Sequence, residues 1–245
     1  APWSPALHGI PENCRVIQIG QDPLYARLPV RNFYSDVSLV GETDNCIITL
    51  AASMKAKLAE TQQKRDARRA RVTTITEANR AETDKRAAGC GGDSMTKEWV
   101  SHCLSKAIKG KRATVLSELG CPLDPLSLQD HGTWYQEPHS GGLGWSFPCG
   151  LGMQLAEPDR LIVATMGDGS YMFSNPVACH QIAEALELPL LLLVLNNSEW
   201  GAVRRSVLDV YPQGYASRSN DMPLVSLRPT PDFTKVAQAS RAFAI

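Results

Sequence analysis

Three continuous apolar runs dominate the C-terminal half of the chain: ATVLSEL (113–119), RLIVATM (160–166) and LPLLLLVL (188–195). Runs of this length without alternation predict strands buried on both faces, as in a parallel sheet. Between them the apolar positions take helical spacing. MTKEWVSHCLSKAI (95–108) is an amphipathic helix with Trp99, Cys103 and Ile108 on one face, and Asp93 or Ser94 of the preceding GCGGDS break is expected to cap it. Further helices are predicted from the Gly-rich start GGLGWSFPCGLGMQLA, after the GDGS turn, and over WGAVRRSVLDVY (200–211). Alternating strands and helices predict an α/β fold, a doubly wound parallel sheet with helices on both faces. Ligands of such sheets bind beyond the carboxyl ends of the strands.

The N-terminal half reads differently. RVIQI (15–19) and SDVSLVG (35–41) are short strand candidates, followed by an apolar helix, CIITLAASMKAKL (46–58). From Lys55 to Arg86 charge rises and large apolar residues thin out, which predicts a solvated helix or linker. The expected division is a fragment of a second α/β domain over 1–54, a charged linker over 55–92 and a diphosphate- and magnesium-binding domain over 93–245.

Composition narrows the function. Lys+Arg and Asp+Glu are both 25, so no net field attracts nucleic acid or an anionic membrane. The longest apolar run falls well short of the roughly 20 residues that cross a bilayer, and the start, APWSPALHG, lacks a signal-peptide pattern. A cytoplasmic or otherwise intracellular protein is expected. The seven scattered cysteines, without a C-x-x-C pair, read as reduced thiols and not as a zinc site.

The chemistry gathers at two strand ends. Gly167-Asp168-Gly169-Ser170 follows one apolar strand and Asn196-Asn197 follows the next. A right-handed crossover through the intervening helix makes those ends neighbours. A carboxylate, an amide oxygen and a main-chain carbonyl are hard ligands suited to magnesium or calcium. The glycines let a diphosphate approach the main chain, and Ser170 with the N–H groups at a helix start can bind its oxygens. Either motif alone reads as a plain turn; together they point to a magnesium diphosphate.

GDG, a helix, a strand and NN, with GGLGW upstream, resemble the thiamine diphosphate-dependent enzymes. The likeness is strong over about residues 112–235 and runs toward the branch of benzoylformate decarboxylase and acetolactate synthase-like proteins. It implies Asp168, Asn197 and the Glu199 carbonyl as magnesium ligands. Gly167, Gly169, Ser170, Trp200 and Gly201 would lie along the cofactor. Leu143, after Gly142, would bend thiamine diphosphate so that its aminopyrimidine meets the reactive thiazolium carbon, and the Gly141 carbonyl would accept a hydrogen bond from the aminopyrimidine. His139, just before this loop, is the candidate acid or base toward substrate. The implied activity is decarboxylation or carboligation of a 2-oxo acid, in a homodimer or homotetramer with the site at a subunit interface.

Two departures shape the expectation. The glutamate that activates the aminopyrimidine belongs to an N-terminal domain that nothing in this chain resembles, and the C-terminal domain is expected to stop short at SRAFAI. A non-catalytic cofactor-binding or assembly module is therefore the alternative, and a magnesium-dependent protein for another diphosphate a third reading. NNSEWGAVRRS also replaces the NN-x-x-x-GMV-x-Q-W stretch of acetolactate synthases, so an accompanying FAD is not expected. His180 and Glu184 read as a polar pair on a helix face, and Arg204-Arg205 as a solvated helix face.

Overall fold

The computed structural model describes residues 9, 11–24, 34–55, 57–88, 95–128, 130–138, 142–219 and 221–245. The chain divides into two compact units, Ala1–Ile75 and Thr76–Ile245.

In the first unit two short parallel strands, β1 (Ile17–Gly20) and β2 (Val37–Val40), pair in register from Ile17 with Val37 to Gly20 with Val40. Helix α1 (Thr43–Lys55) follows and carries no buried residue. The charged stretch is helical: α2 (Gln62–Ala88) runs through the boundary between the units, and only Thr83 and Ala87 in it are buried.

The second unit opens with α3 (Lys97–Ala107). Its cap is Thr96, whose hydroxyl accepts the Trp99 N–H at 3.2 Å, and not Asp93 or Ser94, which lie outside the described residues. Thr96 is still extended, so the helix starts later than the Gly-rich break suggests. The inward stripe also shifts by one position: Cys103 is exposed, while Leu104 and Ile108 are buried with Val100 packed beside them. Spacing of four residues, 100–104–108, keeps these three on one face.

The sheet is parallel throughout, in the order β4 (Trp134–Gln136), β3 (Ala113–Glu118), β5 (Leu161–Gly167), β6 (Leu191–Leu195). The alternation of β5 shows why both faces are covered. Val163 packs with Leu104 of α3 and with Ile108 just after that helix on one side. Its neighbours Ala164 and Met166 pack on the other with Phe147 and Leu151 of α4 (Ser146–Ala156), Tyr171 of α5 (Asp168–Phe173) and Cys179 of α6 (Pro176–Ala185). The sheet is thus doubly wound. Thr165 is the polar exception in this strand, and its hydroxyl is fully used: it donates to the Leu116 carbonyl and accepts the Cys121 N–H.

Two helices stand where one is expected after GDGS. Asn175 adopts a left-handed conformation, φ +55°, and Pro176 then starts α6, so α5 ends after one and a half turns. Beyond β6 come α7 (Gly201–Val210), α8 (Tyr215–Ser219) and α9 (Phe233–Gln238). No described helix is long and apolar enough to cross a membrane. The six cysteines among the described residues are free thiols.

Candidate functional site

Strands β5 and β6 run side by side to their carboxyl ends, where Gly167 pairs with Leu195. The residues that follow, Asp168 and Asn196-Asn197, therefore leave the sheet at one edge. A hydrogen bond joins the two loops: the Ser198 N–H donates to Asp168 Oδ2 at 2.9 Å. Asp168 is 2% exposed, so this carboxylate sits beneath the surface with one oxygen committed to the neighbouring loop.

The Asn197 side chain turns toward its own loop, where its Oδ1 accepts the Glu199 N–H at 3.0 Å. The Glu199 carbonyl accepts from Gly201 at 2.8 Å, and Gly201 lets the Asn197 amide lie against the start of α7. Carboxylate, amide oxygen and main-chain carbonyl are hard oxygen donors, the type that magnesium takes. Among the described residues no group of three or more His, Cys, Asp or Glu side chains could hold a metal, so a cation beside Asp168 needs such amide and main-chain oxygens. A cavity of about 400 Å³ opens beside this loop, lined by Asn197, Glu199 and Gly201 with Arg204 and Arg205 of α7. Arg205 also faces Asp209 at 3.9 Å, an exposed pair of little energetic weight.

Gly169 and Trp200 pack directly. A Cβ at Gly169 would stand 2.3 Å from the Trp200 ring, so the indole lies on the bare backbone of the GDGS turn. Phe173 meets the same indole in a T-shaped contact, with ring centroids 5.5 Å apart. Trp200 is thus a brace between the two loops. Ser170 is buried at the first turn of α5.

The GGLG loop meets this edge from the other side. His139 and Gly141 lie outside the described residues; Gly142, Leu143 and Gly144 are described. Gly144 has φ +91°, and a Cβ there would fall 2.4 Å from the Ser174 nitrogen, so the loop presses on the end of α5. Leu143 stands at its tip, 46% exposed. Glu118, the last residue of β3, accepts N–H bonds from Gly144 at 2.6 Å and Ser146 at 2.8 Å. Sequence reasoning missed it, because an acid at the end of ATVLSEL shows no local sign of partners 26 and 28 residues away. Glu137, just after β4, is close enough to feel it. Burial first, and then the negative charge of Glu118, push the Glu137 carboxyl above its usual range, and its Oε2 is buried without a hydrogen-bond partner.

His180 and Glu184 do not form the expected surface pair. The His180 ring turns inward and shares a 2.7 Å hydrogen bond with the Tyr171 hydroxyl beneath the GDGS turn, while Glu184 pairs with Arg241. The ring is amphipathic enough to pack edge-on against Phe147, at 4.9 Å between centroids. Tyr171 is buried in the core.

Comparison with known proteins relates this half of the chain to one family. The family model described as thiamine pyrophosphate enzyme, C-terminal TPP binding domain, matches residues 123–245. The chain is 27% identical over 114 residues to an acetolactate synthase of Mycobacterium avium, a match covering 46% of this chain and 18% of that protein. It is 30% identical over 79 residues to the benzoylformate decarboxylase of Pseudomonas aeruginosa, covering 32% of this chain and 14% of the relative. Among solved structures, the thiamine diphosphate-dependent 4-hydroxybenzoylformate decarboxylase of Rhodococcus jostii RHA1 superposes with a TM-score of 0.52 at 23% identity, over 62% of this chain and 27% of that one. The match thus spans less than a third of the length of each of these relatives.

Proposed function

Because this chain belongs to the thiamine pyrophosphate enzymes through their C-terminal TPP binding domain, we propose that its GDGS and NN loops hold thiamine diphosphate and magnesium in an enzyme that decarboxylates or ligates a 2-oxo acid. The observation that carries the reading is the Ser198 N–H bond to Asp168 Oδ2, which ties the two loops into one oxygen-lined edge. Asp168, the Asn197 amide and the Glu199 carbonyl are the proposed magnesium ligands. Ser170 and the main chain around Gly167 and Gly169 receive the diphosphate, with Trp200 and Gly201 shaping the far wall.

Bound thiamine diphosphate supplies the electron sink for the negative charge left when a 2-oxo acid loses carbon dioxide. The chain supplies position. Leu143 and the Gly142–Gly144 turn support the cofactor's rings, and orientation of this kind can lower a barrier by several kcal/mol. His139 is proposed to meet the substrate as acid or base. The activating glutamate is proposed to come from another domain, at an interface between subunits of a homodimer or homotetramer. Exposed Leu143, Phe173 and Val203 at this edge support such a covered face. The proposed organisation remains a middle-domain remnant over 1–54, a linker over 55–92 and the cofactor domain over 93–245.

Calorimetric titration with thiamine diphosphate, with and without magnesium, tests this reading. Magnesium-dependent binding is expected in the wild type and is expected to vanish in Asp168→Asn, which keeps an acceptor for Ser198 but removes the charge. Binding that is indifferent to both magnesium and this substitution rejects the proposal.

A further inference from the structure

We propose that Glu118 is a positioning residue: its carboxylate clamps the Gly142–Ser146 turn and thereby fixes Leu143 where the cofactor's rings would rest. The inference rests on the cofactor reading above and adds a residue to it.

Glu118 ends β3, an interior strand of the sheet, and is 2% exposed. A carboxylate buried at such a place is costly unless its oxygens are used. Both are used, and on one turn: Oε1 accepts the Gly144 N–H and Oε2 the Ser146 N–H. Ser146 is the first residue of α4, and the residue before it, Trp145, offers no side-chain cap. Glu118 therefore supplies from the sheet what the sequence around the helix lacks, an anionic acceptor at the helix start.

The turn is held from a second side. Gly144, at φ +91°, touches the main chain of Phe173 and Ser174 so closely that no Cβ fits. Those residues close α5, the helix that Asp168 opens. Leu143 directly precedes this doubly held Gly144 and leaves its own side chain 46% exposed. A residue that were only a helix cap would not need to hold Gly144 as well, the residue directly after Leu143. A carboxylate also matters here in a way an amide does not. Both partners are donors, so Gln at 118 would turn an NH₂ group against one of them.

The clamp acts on the ring end of the cofactor, whereas the diphosphate end rests on Asp168 and Asn197. That separation gives the test. Wild-type chain and Glu118→Gln are titrated with magnesium pyrophosphate and with magnesium thiamine diphosphate, and hydrogen exchange is followed in the peptide spanning 142–149. In E118Q, pyrophosphate affinity is expected to stay within about two-fold, while thiamine diphosphate affinity falls about ten-fold or more, the scale of one charged hydrogen bond. Exchange at 142–149 is expected to accelerate with β3 and β5 unchanged. Equal loss of both ligands, or an unaltered thiamine diphosphate affinity, overturns the assignment of Glu118 alone. A wild-type chain that binds neither ligand overturns the cofactor reading and this inference with it. Should E118Q fail to fold, Glu118→Asp, which keeps the charge on a shorter stem, carries the same expectations.

Discussion

Gly169 is the residue on which the most geometry converges. It sits between the buried carboxylate of Asp168 and the buried Ser170, and the Trp200 ring occupies the space a side chain would fill. Gly169→Ala must push the indole off the turn, and with it the Phe173 edge contact. Overpacking of this kind costs about 1–3 kcal/mol. A fall in thermal midpoint together with loss of thiamine diphosphate binding is expected; an unchanged midpoint would mean that Trp200 swings aside freely and braces nothing. The residue-level site was legible in part. Asp168, Asn197 and the glycines announce themselves by type and place after apolar strands. Glu118 does not, since its role depends on main-chain donors from a distant loop, and Trp200 showed a bulky side chain without showing which backbone it covers.

Among the elements, the α5–α6 pair carries a testable electrostatic consequence. Tyr171 of α5 and His180 of α6 share their hydrogen bond among Phe147, Phe233 and Cys179. Burial holds the His180 imidazole below its ordinary value, and burial, with a smaller contribution from Cys179, pushes the Tyr171 phenol up to about 12. A histidine whose folded value is depressed binds its proton more readily in the unfolded chain. Stability is therefore full above the ordinary histidine value near 6.5, and is lost as pH falls from there toward the lower folded value. Thermal melts between pH 7 and pH 5 are expected to show a falling midpoint in the wild type. His180→Gln keeps an acceptor for the Tyr171 hydroxyl without titrating, so its slope should be shallower; identical slopes would assign the acid sensitivity elsewhere. The sequence pattern showed β3, β5 and β6 because strands buried on both faces read as unbroken apolar runs. It did not show β4, three residues of which two are exposed at the sheet edge, nor the break at Asn175, where a left-handed residue interrupts an otherwise continuous helical pattern.

At the scale of the whole chain, the described residues of the two units differ in how much apolar surface they bury. The second is built around two clusters on opposite faces of its sheet. In the first, β2 and α1 bury no residue, and Ile17, Val40, Ile47 and Ile48 are exposed. Two parallel strands with open faces are marginal by themselves, because parallel pairs depend on covering layers more than antiparallel ones do. This was half-legible: the strands and helix were visible in the sequence, but whether they close a core depends on neighbours that a local pattern does not reveal. Hydrogen exchange of the intact chain should separate the units. Amides of 17–20 and 37–40 are expected to exchange on the order of 100-fold faster than those of β3 and β5, since protection follows the free energy of local opening. Addition of magnesium thiamine diphosphate should then slow exchange around 142–146 and 167–171 while leaving β1 and β2 as they were. Protection of β1 and β2 equal to that of β3 would show that the first unit folds cooperatively despite its exposed apolar face, and that the reading of it as a remnant of a larger domain is wrong.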